Sequence, residues 1–420
     1  MSRGHSNGLD LRIEERVLDS GLTLLAVQNP NVATFACAVS LDVRAGDEPR
    51  DKAGLVNLVG ECLDEGTSGK SALELAEAAE SIGGALEGNQ RGGSIHCPAE
   101  HRKAGMELLF EIVSDPAFPA REVERVKGEI RVEIRIENED PRTVARRRFS
   151  KEVYGRHPLG RPPQGTTESV ARIRPRDLRQ WHRAFFAPAN GYVAAAGPED
   201  PGRMLDLMSR IFGRLKGEAP SHGPIPAIPW PSRPRDVHVP MKREQVHVFV
   251  GHRGIRRTDP DYYALSVMDH VLGTGPGFTS RCARRLRDEQ GLCYSVAAGI
   301  TPSAGEEPGT FTAYIGTSPE HREAAIAGFL EEIDRIRETL AEPDEVEAVK
   351  DYLTGSFVFG LERNINLAAY AIRARRFDLG FDHVRRYPDL VRAVTAEQVR
   401  EVARRHLVPS AMIRVSAGAS

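Results

Sequence analysis

The chain has 420 residues, and its 57 lysines and arginines nearly balance its 59 aspartates and glutamates, leaving a formal net charge of -2. This balance gives no electrostatic reason to expect nucleic acid or an anionic membrane as a partner. No stretch approaches the ~18 to 20 apolar residues of a membrane span or forms a signal peptide, and five cysteines without C-x-x-C spacing favour a reducing compartment. We therefore expect a soluble, cytoplasmic protein.

The first predicted elements along the chain are two strands and then a helix. The runs TLLAVQN and TFACAVSLDV have the apolar and β-branched composition of strands. In residues 54–67, GLVNLVGECLDEGT, apolar residues recur at i, i+3, i+4, i+7 and i+8, which predicts a helix with one buried stripe. Asn57, Gly60 and Glu61 share a second face of that helix, where a helical metal site would be built.

A proline-rich segment divides the chain nearly in half. Six prolines in residues 220–234 favour an extended, semi-rigid connector, because proline suits neither a helix interior nor a central strand. The sequences on its two sides repeat each other at two places. EVERVKGEIRVEIRIENED from Glu122 resembles EVEAVKDYLTGSFVFGLERN from Glu345, and the segment that ends at Gly197 resembles the one that ends at Gly418. Order and spacing are both kept, which indicates a duplicated domain.

Each half has the same order of predicted elements, with strands first, several long helices next and a strand last. The second half opens with VHVPM and QVHVFVGH, as the first half opens with its two strands. This order predicts an α+β fold in which helices pack on one face of a mixed, mainly antiparallel sheet. We predict two homologous domains of this kind, residues 1–216 and 236–420, joined by a linker at residues 217–235.

The second half contains the segment TSRCARRLRDEQGLCYSVAAGI, which predicts a helix followed by a strand. The helix is expected to begin near Ser280 and to end at Gln290, with Gly291 as a left-handed terminator. Arg287 then lies in the last helical turn and Tyr294 at the start of the strand. Taken alone, the two residues are a surface arginine and a half-buried tyrosine, and the GTGPG loop before the helix is a tight turn.

Several motifs, in order, resemble the pitrilysin and insulinase family of zinc metallopeptidases, in its two-domain processing-peptidase branch. The family pattern GLAHFLEHMLFKGT contains an inverted zinc motif, H-x-x-E-H, and GLVNLVGECLDEGT matches its frame without a gap. Further matches are RAGDEP, DPRTVARRRFSKEVYGRHPLGRPPQGTTESV and TDPDYYALSVMDHVLGTG. The resemblance covers nearly the whole chain and implies the LuxS/MPP-like metallohydrolase fold for both halves.

The zinc motif itself is degenerate. In the family, two histidines one helical turn apart bind Zn²⁺, and the glutamate between them takes a proton from the metal-bound water. Here the first ligand position is Asn57, the base position is Gly60 and the second ligand position is Glu61. The family's third ligand, a glutamate, is matched by Glu133. Two carboxylates without imidazole are poor ligands for Zn²⁺, so we expect this chain to bind no metal or cofactor.

A second departure from the family concerns the edge strand onto which substrate docks by strand addition. The family shows an Asn-Ala pair there, whereas IGGALEGNQRGG places Glu87 and Gly88 at the matching positions. Glycine is weak in strand interiors, so peptide docking on this domain is disfavoured.

What the chain retains resembles the family's Arg/Tyr pair. Arg287 and Tyr294 are seven residues apart and are followed by Ser-Val, as in the family, where the pair reaches from the second domain toward the zinc site. A guanidinium and a phenol can donate hydrogen bonds to substrate carbonyls and to the oxyanion of the tetrahedral intermediate. The resemblance therefore implies that Arg287 and Tyr294 take part in catalysis although the zinc ligands are lost.

We predict a non-catalytic subunit of a heterodimeric zinc metalloendopeptidase. A homologous partner chain would carry H-x-x-E-H and the zinc, and this chain would supply Arg287 and Tyr294 in trans to unfolded peptide substrates. Two alternatives remain open: a structural subunit like the core proteins of the respiratory bc1 complex, and a stand-alone metallopeptidase that uses Glu61 and Glu133. No nucleic acid or membrane partner is expected.

Overall fold

The structure, a computed structural model, describes residues 11–230, 233–275 and 279–419, so part of the GTGPG loop lies outside the described residues. No helix in this part of the chain combines the length and the apolar composition that a membrane crossing requires. The residues pack into two compact units. The first contains the described parts of Met1–Ile134, Pro162–Pro224 and Val358–Arg385, and the second those of Arg135–Arg161, Ile225–Phe357 and Arg386–Ser420.

Strands and helices occur in both halves of the chain. The strands are β1 (Arg12–Val17), β2 (Thr23–Gln28), β3 (Thr34–Ser40), β4 (Ala85–Asn89), β5 (Gly92–Pro98), β6 (Tyr192–Gly197), β7 (Arg235–Pro240), β8 (Val246–Arg253), β9 (Ser295–Gly299), β10 (Thr310–Thr317) and β11 (Ile413–Gly418). The α-helices are α1 (Leu55–Glu61), α2 (Ala72–Ser81), α3 (Arg102–Ser114), α4 (Ala120–Glu139), α5 (Pro141–Tyr154), α6 (Thr167–Arg172), α7 (Pro175–Phe185), α8 (Pro201–Phe212), α9 (Tyr262–Asp269), α10 (Arg322–Glu338), α11 (Pro343–Phe357), α12 (Asn364–Arg376), α13 (His383–Arg392) and α14 (Ala396–His406). Two further segments, His270–Thr274 and Ala283–Glu289, are π-helical.

Each unit is built on one sheet. The sheet of the first unit has the order β1-β2-β6-β3-β5-β4, and that of the second unit has the order β7-β11-β8-β10-β9. Among the described strands, β2 pairs with β6 and β7 with β11 in parallel, and all other neighbours are antiparallel. The predicted α+β fold with two mixed, mainly antiparallel sheets is confirmed. In the two sheets β4 and β9 occupy equivalent edge positions.

Helices cover both faces of the first sheet. Side chains alternate between the faces along a strand, and Phe35, Cys37 and Val39 of β3 point into the core that α1, α3 and α8 share. Ala36 and Ala38 therefore point to the opposite face, which α12 covers. Among the described residues, the predicted layer of helices lies on one face, and α12 lies on the other.

Each unit includes a long helix from the other half of the sequence. Helix α12 lies in the second half of the sequence but belongs to the first unit, where it contacts β2, β3 and β6. Helix α5 lies in the first half but belongs to the second unit, where Phe149 stacks on Phe249 of β8 with 6.0 Å between ring centres. That residues 1–216 and 236–420 are two duplicated domains stays a prediction. The compact units differ from these two ranges, because α5 packs in the second unit and α12 in the first.

The proline-rich segment has neither helix nor strand in its described part. After α8 ends at Phe212, residues 213–230 and 233–234 lead to β7, which begins at Arg235. This irregular stretch contains every described residue of the predicted linker at 217–235 except Arg235, which is the first residue of β7.

Candidate functional site

The degenerate motif lies on α1, whose apolar side is buried as the sequence predicts. Leu55, Leu58 and Val59 are at most 3% exposed and pack into the core of the first unit. On another side of the helix, Asn57 and Glu61 face a cavity of about 600 Å³ that α12 also lines. The motif positions are therefore held on a well-packed helix beside open space.

The position of the family's general base, Gly60, is closed by backbone atoms. The turn between β4 and β5 lies directly against it, and a Cβ atom added to Gly60 would lie 2.6 Å from the carbonyl carbon of Asn89 and 2.6 Å from the nitrogen of Gln90. Across the same contact, a Cβ atom added to Gly88 would lie 2.5 Å from the carbonyl oxygen of Gly60. Two glycines therefore permit this approach, and no carboxylate fits at position 60 while the turn is in place.

Two side-chain hydrogen bonds join α1 and the residues after it to the turn and to the end of β4. Nε2 of Gln90 donates to Oδ1 of Asn57 over 3.0 Å, so the first ligand position is engaged with the turn. The carboxylate of Asp64, just after α1, accepts the backbone N–H of Gly88 over 3.3 Å, and burial raises the pKa of Asp64. Because β4 is an edge strand, this contact occupies a backbone group that strand addition would use. Weak peptide docking on β4 stays a prediction, and the hydrogen bond between Gly88 and Asp64 supports it.

The remaining two motif positions are carboxylates. Burial raises the pKa of Glu61, and the negative charges of Glu133 and Asp64 raise it further. Such a set lacks the imidazole nitrogens and thiolates that zinc prefers, and the amide at the first position is bound to Gln90. The residues of the degenerate motif therefore do not fit a catalytic zinc ion.

Arg287 and Tyr294 lie next to each other in the second unit. Arg287 belongs to the π-helical segment Ala283–Glu289, and Tyr294 directly precedes β9. The guanidinium carbon of Arg287 is 5.7 Å from the centre of the Tyr294 ring, and Tyr294 is 83% exposed. Gly291 ends the helix with φ 63°, as predicted, although the helix around Arg287 is π-helical rather than α-helical. The second unit thus presents a set of N–H donors and a phenol side by side.

Two family models match the chain in sequence. The model described as Insulinase (Peptidase family M16) matches residues 24–167, and the model described as Peptidase M16 inactive domain matches residues 172–353. Together they account for most of the chain. The chain belongs to peptidase family M16.

Relatives of this M16 protein match over most of its length. A Streptomyces coelicolor protein named an uncharacterized zinc protease is 27% identical over 409 residues, which cover 93% of this chain and 86% of that protein. YmxG of Bacillus subtilis, with the same kind of name, is 25% identical over 355 residues, 83% of this chain and 85% of its own. A crystal structure described as a peptidase M16 inactive domain from Pseudomonas fluorescens has a TM-score of 0.90 at 22% identity and covers 98% of this chain and 99% of its own. A Helicobacter pylori protease, with a TM-score of 0.88 at 17% identity over 97% and 99% of the two chains, shares the fold.

Sequence reasoning missed a buried carboxylate in the second unit of this M16 protein. Asp269, at the end of α9, is fully buried and accepts hydrogen bonds from the N–H groups of Ile300 (2.9 Å) and Thr301 (2.8 Å) and from the Thr301 hydroxyl (2.5 Å). Burial outweighs these hydrogen bonds and raises the pKa of Asp269 to about 7. In the sequence, Asp269 is an acid within the apolar run VMDHVL. An acid that is exposed on a helix gives the same pattern, so the pattern does not identify a buried carboxylate.

The raised pKa predicts that Asp269 contributes less to stability as the pH rises toward neutral. Between the ordinary pKa of 3.8 and about 7, the folded state keeps a proton at Asp269 that the unfolded state has lost, so the contribution of Asp269 to the free energy of unfolding falls across this range. Asp269→Asn removes this titration and weakens the hydrogen bonds to Thr301. We expect the substitution to cost more stability at about pH 5 than at about pH 8, as measured by urea denaturation.

Asp177→Asn is a matched control for this prediction. Asp177 is also buried, but its hydrogen bond from Lys52 and that from the Arg174 N–H overcome the burial and lower its pKa, which places its titration below this pH range. Its loss of stability should be the same at both pH values. An equal loss for Asp269→Asn at the two pH values would contradict the prediction.

A cluster of potential metal ligands also lies outside the predicted positions. Ligand atoms of Asp259, Asp261 and His406 are within 4.8 Å of one another. Asp261 is hydrogen-bonded to Nε2 of His406 at 2.6 Å and forms an ion pair with Arg405, and these contacts overcome its burial and lower its pKa. The carboxylate of Asp261 is therefore compensated by side chains of the protein, and nothing in the cluster requires a metal ion.

Proposed function

We propose that this M16 protein is the non-catalytic subunit of a two-chain zinc peptidase. The observation that carries the proposal is a contrast between two sites. At Gly60 the backbone of Asn89 and Gln90 excludes a general base, whereas Arg287 and Tyr294 lie side by side with the tyrosine largely exposed. The π-helical geometry around Arg287 supports a role for the pair, because π-helical turns are rare and frequently occur at functional sites.

The proposed partner is a homologous M16 chain with an intact H-x-x-E-H helix, which would bind zinc and supply the activated water. The guanidinium of Arg287 offers several N–H donors in one plane to substrate carbonyls. The hydroxyl of Tyr294 can donate to the oxygen that gains negative charge when the peptide bond is attacked. Unfolded peptides are the expected substrates, because both groups recognise backbone carbonyls rather than a particular side chain.

The same geometry disfavours a stand-alone metallopeptidase built on Glu61 and Glu133. Hydrolysis would need a group that takes the proton from water, and the turn between β4 and β5 excludes such a group from position 60. The raised pKa of Glu61 follows from burial and from the negative charges of Glu133 and Asp64. Activity is therefore expected only in the presence of a second chain.

The test starts from the tagged chain purified from its native host. We expect a chain of similar length that carries H-x-x-E-H to co-purify, and the pair to contain zinc and to cleave an unfolded substrate such as casein. The chain produced alone is expected to retain far less than one equivalent of zinc and to leave casein intact. Proteolysis by the isolated, zinc-loaded chain would overturn the proposal, as would a co-purifying partner without H-x-x-E-H.

A further inference from the structure

Arg287 lies on a helical segment of uncommon geometry. Ala283–Glu289 is π-helical, and after it the N–H of Gln290 bonds to the carbonyl of Arg285, five residues earlier, over 3.0 Å. π-Helical turns are rare and mostly limited to a single turn.

Two arginines tie this region to other helices of the second unit. Arg281 forms a two-pronged ion pair with Glu345 of α11, with Nε to Oε1 at 2.9 Å and Nη2 to Oε2 at 2.7 Å. Arg285 binds Glu332 of α10, with Nη1 to Oε1 at 2.8 Å. Glu332 is fully buried and Arg281 is 4% exposed. Each ion pair therefore has one buried partner, Glu332 or Arg281, and one partly exposed partner, Arg285 or Glu345.

The backbone of α10 also approaches the π-helical segment closely. A Cβ atom added to Gly328 would overlap Cδ2 of Leu286, a fully buried side chain. Gly328 lies four residues before Glu332, so the two share one face of α10. This face contacts Leu286 and Arg285, the two residues that directly precede Arg287.

Stability alone does not explain the buried ion pairs. Oε2 of Glu332 and Nη1 of Arg281 are buried and have no hydrogen-bond partner among the described residues. Buried ion pairs with unsatisfied polar atoms contribute little net stability, because the cost of removing the charges from water offsets their attraction. Such pairs can instead select one arrangement of the elements that they join.

We propose that Glu332 and Gly328 are positioning residues for Arg287. Through Arg285 and Leu286 they fix the direction in which the Arg287 side chain leaves the π-helical segment. The catalytic consequence rests on the proposed function of the Arg/Tyr pair. The positioning itself is a property of this chain and can be measured without a partner.

Glu332→Gln tests the positioning in the isolated chain, because it keeps the volume and an acceptor at position 332 but removes the buried one of the two charges that bind Arg285, the other being the exposed Glu331. We expect hydrogen exchange at the amides of residues 290–292 to become about tenfold faster, since these N–H groups bond to carbonyls of the π-helical segment. Glu338→Gln, at an exposed glutamate of the same helix, is the matched control and should leave these rates unchanged. Unchanged exchange in Glu332→Gln would overturn the proposal.

The two-chain complex gives a second measurement. Glu332→Gln is expected to lower kcat about tenfold with KM unchanged, because the peptide still binds while the Arg287 donor is misplaced. In an Arg287→Ala background the same change should have no further effect, whereas a loss of folded protein would reduce activity equally in both backgrounds.

If Arg287→Ala is silent while exchange in Glu332→Gln is faster, the proposed function fails and the positioning role stands. If Arg287→Ala is damaging and Glu332→Gln alters neither quantity, the positioning role alone fails.

Gly328→Ala is the second variant, needed if Glu332→Gln does not fold. Its Cβ atom must displace Leu286, so it should speed exchange at residues 290–292 and lower kcat in the same way. Gly355→Ala on α11 is its matched control, because a Cβ atom there would meet nothing within 4 Å and alanine favours the helix. A Gly328→Ala variant that behaves like Gly355→Ala would contradict the positioning role of Gly328.

Discussion

In the reconstituted complex, Arg287→Ala and Tyr294→Phe are each expected to lower kcat about 10²-fold while KM changes little. Removing one hydrogen-bond donor from the charge that develops in a transition state typically costs about 10² to 10³ in kcat. In the proposed complex the Arg287 guanidinium and the Tyr294 hydroxyl are such donors, and the 83% exposure of Tyr294 leaves it accessible to a peptide. Initial rates at several concentrations of an unfolded peptide measure both constants.

Arg284→Ala and Tyr352→Phe are matched controls for these variants. Arg284 is an exposed arginine of the same π-helical segment, and Tyr352 is a partly exposed tyrosine of α11. Both controls should keep the wild-type kcat, and the zinc content of the complex should be the same in all four variants. Equal activity of all four would favour a scaffold subunit and would rule out a catalytic role for the Arg/Tyr pair.

The local features of these sites could be predicted from the sequence because they depend on neighbours along the chain. The buried stripe of α1 follows from the 3.6-residue period of a helix. Gly291 ends its helix because glycine adopts a positive φ at little cost. The position of Arg287 in the last helical turn and of Tyr294 just after the helix end follows from this local signal, whereas the geometry of the π-helical segment does not.

The closure of Gly60 could not be predicted, because it depends on packing between distant segments. Asn57 and Gln90, which join α1 to the turn between β4 and β5, are 33 residues apart. In the sequence, Gly60 indicates only that a catalytic side chain is missing. In the fold, Gly60 and Gly88 lie against each other and permit a close backbone approach, and two separate glycines in a sequence do not specify such a register.

Long-range contacts also account for the other differences between prediction and structure. The internal repeats identify homologous segments, but they do not say which sheet a helix covers, so the exchange of α5 and α12 was not foreseen. Whether the segment around Arg287 is α-helical or π-helical depends on what Arg281 and Arg285 contact in α11 and α10. The period of the apolar residues contains neither kind of information.

Restoring the zinc motif is not expected to restore peptidase activity, because the glutamate needed at position 60 does not fit there. Asn57→His and Glu61→His would join Glu133 in a three-ligand set, and this double variant is expected to gain zinc affinity without peptidase activity. Adding Gly60→Glu should lower the free energy of unfolding by ~3 kcal/mol and leave the chain inactive, because the new Cβ atom meets the backbone of the turn between β4 and β5 rather than a flexible side chain. Zinc titration, peptide hydrolysis and urea denaturation of both variants measure these effects.

Gly128→Glu on α4 is the matched control, since it introduces the same side chain at a helical glycine whose Cβ atom would meet nothing within 4 Å. It should be neutral or stabilise the chain by up to about 1 kcal/mol, because glycine is a poor helix former. The prediction would be wrong if the triple variant were as stable as the double variant and cleaved peptides. The turn between β4 and β5 would then move away at no cost, and the loss of three motif side chains would alone account for the inactivity of this chain. A destabilised, inactive triple variant means that the backbone of the turn also keeps this chain from hydrolysing peptides alone, so that any activity has to come from a second chain.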